Sequence, residues 1–246
     1  MALTVEASCN ANTQSTSGNT GTMAVSAGSR LFLFHVQADA VGQPTLTFKW
    51  NTNESFTQLI DYDPQTPWNT GSVQGWYLNN PTAGTFAVAY TNAGPTSRGH
   101  FYCISITGLG TFPRCVRSEG GNNVENSGSI NVALSAIATD LVFAVMGKND
   151  TVEATTPWAG STELGDIAIV DGRADWAYKI SADNPGFSDP ATTSERSMYA
   201  VALGNIPTGP GATWFWSKLQ DFYDELKRGL IPPMDLQKRY REVYSI

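Results

Sequence analysis

Charge is what this sequence has least of. Asp, Glu, Lys and Arg make up 15% of its 246 residues, against about 25% in an average soluble domain. Thr, Ser, Asn and Gly must therefore supply most of the polar surface. What charge there is leans acidic, with 15 basic and 22 acidic residues and a net charge of −7. That balance excludes the whole-protein basic footprint of a binder of nucleic acid or anionic membrane. Histidine occurs twice, His35 and His100, and cysteine three times, Cys9, Cys103 and Cys115. Three cysteines without CxxC spacing do not read as a disulfide framework. Cys103, inside the apolar run Phe101 to Ile106, reads as a small core residue. No apolar run approaches the roughly 18 residues of a membrane span. The stretch Met1 to Ala7 lacks the basic and apolar regions of a secretory signal. The expectation is a protein made and folded in a cytoplasm, large enough to bury a core without metal or disulfide staples.

Residues 1 to 208 read as mainly β. Arg30 to Val36 is nearly continuous in apolar residues, as a strand covered on both faces would be. Thr45 to Trp50 and Thr85 to Tyr90 alternate with period two, the mark of a half-buried strand. Further strands are expected at Val73 to Leu78, His100 to Ile106, Ile130 to Leu134, Asp140 to Met146, Asp166 to Val170, Asp175 to Ile180 and Ser197 to Leu203. Asp171-Gly172 is a hairpin signal between two of them. Many short strands with Gly, Pro and Asn turns predict a two-sheet antiparallel sandwich, of jelly-roll or lectin-like type.

After the break Pro207-Thr208-Gly209-Pro210-Gly211 the composition changes. Residues 209 to 246 predict a two-helix carboxy-terminal arm. Trp216, Leu219, Tyr223 and Leu226 fall at helical spacing, and Gly229 and Pro232-Pro233 stop that helix. A second helix is expected from Asp235, with Leu236, Tyr240 and Val243 on one face. From Trp214 onward there are six basic and five acidic residues, which leaves the body 9 basic and 17 acidic.

The order of the body's segments resembles a β-sandwich domain of tailed-bacteriophage virion proteins. Gly28 to Phe34 is similar to that family's "GSNRLLVV" strand. Gly75 to Val88 is similar to its "WYL-NPPTGT-TV-V" segment. Cys103 to Leu109, Thr139 to Val145 and Ala200 to Leu203 stand where its later strands are expected. The resemblance spans most of residues 25 to 207. It implies a lectin-like or jelly-roll sandwich in a virion setting and brings no catalytic residues with it. The arm is not part of that pattern.

Motifs for chemistry are sparse. There is no GxSxG elbow, and His35 and His100 sit in or beside apolar strands, where a hydrogen-bonded strand histidine is the simpler reading. A glycosidase needs two carboxylates roughly 5 to 9 Å apart. Asp61 and Asp63 have the i, i+2 spacing of one strand face, although turn capping explains them equally well. Glu163 and Asp166 have the wrong parity for one strand face. The acidic loops Lys148-Asn149-Asp150 and Asp171-Gly172-Arg173 offer places for calcium but read first as solvated, and no HExxH, CxxC or EF-hand pattern exists. No catalytic, cofactor or metal residues are assigned. Trp68 and Trp158, each following a proline-containing loop, are the candidates for stacking on a glycan.

The arm is the strongest functional signal. Trp214, Phe215, Trp216, Leu219, Phe222, Tyr223, Leu226, Ile231, Leu236, Tyr240 and Tyr244 form an aromatic-rich apolar set of the kind that anchors protein interfaces. So short a helical segment cannot bury its apolar face alone. The sequence thus predicts a non-enzymatic structural component of a phage virion, first of all a capsid decoration protein. Its arm would bind neighbouring virion proteins or other copies of the chain, a trimer being the expected symmetry. A host-glycan-binding module ranks second and a glycan-processing enzyme third.

Overall fold

The computed structural model describes residues 2–37, 45–62, 73–94, 99–109, 113–122, 129–148, 154–169, 172–190 and 196–205, apart from the side chains of 60–62 and 113–122. The chain divides into two units, Met1–Asn205 and Ile206–Ile246, and the second lies outside the described residues.

Among the described residues there are seventeen strands and no helix. They are β1 (Thr4–Asn12), β2 (Ser17–Val25), β3 (Arg30–Gln37), β4 (Leu46–Trp50), β5 (Glu54–Ser55), β6 (Thr57–Tyr62), β7 (Val73–Asn79), β8 (Gly84–Asn92) and β9 (Gly99–Thr107), followed by β10 (Pro113–Asn122), β11 (Ser129–Asn131), β12 (Leu141–Lys148), β13 (Thr156–Pro157), β14 (Thr162–Ile169), β15 (Gly172–Ile180), β16 (Gly186–Ser188) and β17 (Arg196–Asn205). They pair into four antiparallel sheets, two more than the sequence suggested.

The same winding occurs twice. The order β1-β9-β3-β7-β6 in one sheet is matched, strand for strand, by β10-β17-β12-β15-β14 in another. The order β2-β8-β4, extended by β5, is matched by β11-β16-β13. In both halves the first strand pairs with the last, the second with the last but one, and the third with the strand two before the last. This is a long hairpin folded over on itself.

Strand alternation then decides where each side chain goes. In β3, Leu31 and Leu33 join Phe101, Cys103 and Trp76 to face β2, β4 and β8, whose Met23, Val25, Phe48, Trp50, Val88 and Tyr90 complete a core. The other face of the same sheet, with Phe32, Phe34, Val36, Tyr102, Ile104 and Ile106, meets Leu141, Phe143, Val145, Trp176, Tyr199, Val201 and Leu203 of β12, β15 and β17. The opposite face of that second sheet, with Val142, Ala144, Met146, Met198, Ala200 and Ala202, is covered by Ile130 and Phe187 of β11 and β16. The sheets containing β3 and β12 are therefore inner sheets, apolar on both faces, and the other two are outer covers. This is why β3 and β12 are buried along their whole length while β4 and β8, in an outer sheet, carry exposed positions between buried ones.

The central core is built from matching positions of the two halves. Phe32 lies opposite Ile104 as Phe143 lies opposite Val201, and Phe34 opposite Tyr102 as Val145 opposite Tyr199. Phe34 sits 4.7 Å from Phe143 and 5.6 Å from Tyr199 between ring centroids. The Trp176 indole crosses between the sheets and donates to the Phe34 carbonyl at 3.2 Å, satisfying a polar atom that has no water to turn to. Cys9 and Cys103 are opposite each other on β1 and β9 as buried free thiols. Burial raises the Cys103 thiol well above its ordinary pKa, which makes it inert.

At one end of β12 buried charge is fully paired. Lys148 at the end of β12 lies 2.9 Å from Asp189 Oδ1, and Arg196 at the start of β17 lies 2.6 Å from Asp189 Oδ2, all three side chains being essentially inaccessible. Removing one member of such a set costs about 3–5 kcal/mol, because its partners stay buried. No helix among the described residues is long and apolar enough to cross a membrane.

A close approach between the two inner sheets supplies a test. A Cβ placed on Gly147 of β12 would stand 2.6 Å from Val36 Cγ1 of β3. Gly147→Ala should therefore destabilise by about 1–3 kcal/mol through overpacking. Val36→Ala made in the same chain should return part of that loss, in a double-mutant cycle followed by urea unfolding. Additive losses would show that the two residues do not face each other.

Candidate functional site

The hairpin β14–β15 carries an unusual concentration of acid. Asp166 and Asp175 are directly opposite each other across the two strands. Glu163 pairs with Ala177, and the register shifts between Glu163 and Gly165. That shift is a β-bulge. In a regular strand Glu163 and Asp166 point to opposite faces, as the spacing predicted. The extra residue at Leu164 reverses the parity and brings Glu163 to the face of Asp166 and Asp175. One carboxylate oxygen from each of the three lies within 4.8 Å of the others. The parity argument is thereby corrected: it counted residues and could not see the bulge.

Each acid has a different setting. Glu163 is exposed, Asp166 is partly covered and Asp175 has no accessible surface. Asp166 Oδ1 is held by the Arg173 guanidinium, and its Oδ2 accepts from the Thr155 amide at 2.9 Å. Asp175 Oδ2 accepts from the Thr155 hydroxyl at 2.9 Å. Its other oxygen, Oδ1, is buried and receives no hydrogen bond of normal geometry. Burial pushes the Asp175 carboxyl up to about 8; the Thr155 hydroxyl opposes the shift, the charges of Glu163 and Asp166 add to it, and the Trp176 amide opposes it weakly. Without a cation Asp175 therefore keeps its proton at neutral pH.

Beneath this cluster lies a ring stack from the central core. Tyr102 sits 5.0 Å from Trp176 and His100 5.6 Å from Trp176, between centroids. A side chain on Gly165 would collide with the Tyr102 hydroxyl, so the bulge needs glycine at that point. Burial raises the Tyr102 pKa, and the charges of Asp175 and Glu163 raise it further. The three carboxyl groups make an all-oxygen donor set for a hard cation. The complete burial of Asp175 withholds it from a polymeric substrate.

The histidines weighed as catalytic candidates lie elsewhere in the packing. His35 is fully buried, with Nε2 2.8 Å from Thr13 Oγ1. His100 Nε2 is 3.1 Å from Asn10 Oδ1. Burial, with a smaller effect from His100, lowers the His35 pKa to about 3, and burial lowers that of His100 to about 4. The structure brings neither to a described nucleophile and carboxylate pair. Trp158 is half-buried against the third core, its ring edge-on to Phe187 at 6.0 Å. Trp68, Asp63, Asp150, Asp171 and the arm residues Trp214, Phe215, Trp216, Leu219, Phe222, Tyr223, Leu226, Ile231, Leu236, Tyr240 and Tyr244 lie outside the described residues, as do the side chains of Asp61 and Cys115. No family model, curated protein or solved structure matches the chain.

Asp175 is the site residue that sequence reasoning missed. It stands in a strand between Ala174 and Trp176, where an isolated acid flanked by apolar residues was the available signal.

The depressed histidines fix the sign of an acid effect. A histidine whose folded pKa lies below the unfolded value of about 6.5 binds fewer protons when folded, so its stabilisation is complete above pH 6.5 and is lost as pH falls towards its folded pKa. Between pH 7 and 5 the His35 contribution should fall by about 2 kcal/mol. His35→Gln should lose correspondingly less stability than the natural protein over that interval, measured by urea unfolding at both pH values. Parallel losses would mean that His35 protonates freely in the folded state.

Proposed function

We propose that this protein is a non-enzymatic structural component of a phage particle, a capsid decoration or related head or tail surface protein. In this reading each half of the body is a jelly-roll sandwich, and residues 209 to 246 form a helical arm that fastens the body to other virion proteins and to copies of itself, as a trimer. The observation that carries the reading is the nested strand pairing, found twice around one shared core. Three nested pairs within a winding of eight or nine strands match the jelly-roll order used by viral capsid and lectin domains. Its duplication joins the two windings through one shared core, an arrangement suited to a surface block. The ordered segments from Gly28 to Leu203 that resemble phage virion proteins support the same setting, as does the aromatic composition of the arm.

A glycan-binding role is the second reading. It draws on the lectin side of the same architecture and on Trp158, which is half-buried.

Light scattering on the full-length protein beside a version lacking residues 213 to 246 tests the proposal. Full-length protein should form a discrete oligomer, about three times the 26.5 kDa chain mass for a trimer. The shortened protein should be a folded monomer. A monomer in both forms, or an unchanged oligomer after truncation, counts against the arm as the fastening.

A further inference from the structure

We infer that Glu163, Asp166 and Asp175 form a binding site for a hard divalent cation of the calcium type, built on the β-bulge of β14. The inference goes beyond the structural role proposed above and does not depend on it. The carboxylate oxygens of the three residues lie within 4.8 Å of one another. Calcium–oxygen bonds run about 2.3–2.6 Å, so two oxygens on opposite sides of one ion stand about 4.6–5.2 Å apart. Three oxygens all at the 4.8 Å limit lie about 2.8 Å from a common centre, so one ion reaches all three once the side chains close in by a few tenths of an ångström.

Acidic side chains often cluster at a surface without binding anything. The difference here is Asp175. It is completely inaccessible, Thr155 satisfies one of its oxygens, and the other oxygen is buried without a hydrogen bond. A buried acceptor left in that condition has given up its hydration with nothing in return, a loss that grows when the group is charged. The carboxyl group faces Glu163 and Asp166, which makes an ion shared with them the natural partner for the orphan oxygen. Charge agrees. Three carboxylates against the Arg173 guanidinium leave two negative charges, which one divalent cation neutralises. Thr155 already binds both aspartates, through its amide and its hydroxyl, and so fixes their orientation in advance. The exposed Glu163 gives the entry side. On binding, Asp175 releases its proton to solvent and the ion takes the proton's place.

The site joins the edge strand β14 to β15 and to the segment ahead of β13, so an ion there ties three chain segments together. Its effect is read as stability. The full-length protein, stripped with chelator and exchanged into chelator-free buffer, is melted with and without CaCl₂. At calcium near 100 times Kd the melting temperature should rise by about 5–10 °C. Glu163→Gln changes an exposed residue and leaves the fold intact; it should weaken calcium binding at least about tenfold in calorimetric titration. Asp175→Asn should melt higher than the natural protein without calcium and lose the calcium response. The absence of any calcium-induced shift in the natural protein would overturn the inference, and so would an equal shift in Glu163→Gln.

Discussion

Two inner sheets that are apolar on both faces impose the constraint from which the rest of the architecture follows. Such a sheet cannot meet water on either side, since each buried large side chain contributes about 1.5–3 kcal/mol only if covered. One face of each is covered by the other inner sheet, through Phe34, Phe143, Tyr199 and Trp176. The remaining faces require the two outer sheets. The first is broad, with Trp50, Phe48 and Tyr90 filling it. The second has strands of two or three residues and leans on Phe187, Ile130 and the half-buried Trp158. Close approach of the inner sheets also explains the glycine at position 147, where Val36 occupies the space of a side chain.

The same constraint sorts the polar groups. Inside so dry a body, each must carry its partner with it. Asp189 does so by joining Lys148 and Arg196, His35 by meeting Thr13, and Trp176 by reaching the Phe34 carbonyl. Asp175 Oδ1 departs from this pattern, and it does so beside a bulge that gathers two further acids. The Trp158 indole nitrogen is likewise buried without a hydrogen bond, whereas the Asp175 oxygen belongs to a cluster of carboxyl groups, where a polar group kept for a ligand is expected.

Much of the fold was legible, and the limits were physical. Arg30 to Val36 and Asp140 to Met146 announced themselves by unbroken apolar character, and Thr85 to Tyr90 by alternation. The strands β1, β2 and β10 were invisible because Ala7, Ala11, Thr20 and Gly121 carry too little hydrophobic contrast to show a period. The number of sheets could not be read either. Alternation tells that a face is covered and says nothing about which element covers it, so the inner-sheet runs fitted a two-layer body as well as a four-layer one. The acidic site was hidden by a single bulged residue, Leu164, because parity arguments hold only in a regular strand. Asp175 could not have been tied to Glu163 without knowing the β14–β15 register.

The account's central claim is that the two halves share one core and depend on each other for it. The most direct measurement is to express residues 1–111 and 112–246 separately and to follow their unfolding in urea, alone and mixed. If the core is shared, neither half should show a cooperative transition alone, and mixing should restore one close to that of the intact chain. A sharp, independent transition from either half would contradict the claim and make the contact between the inner sheets an accessory to two self-sufficient domains.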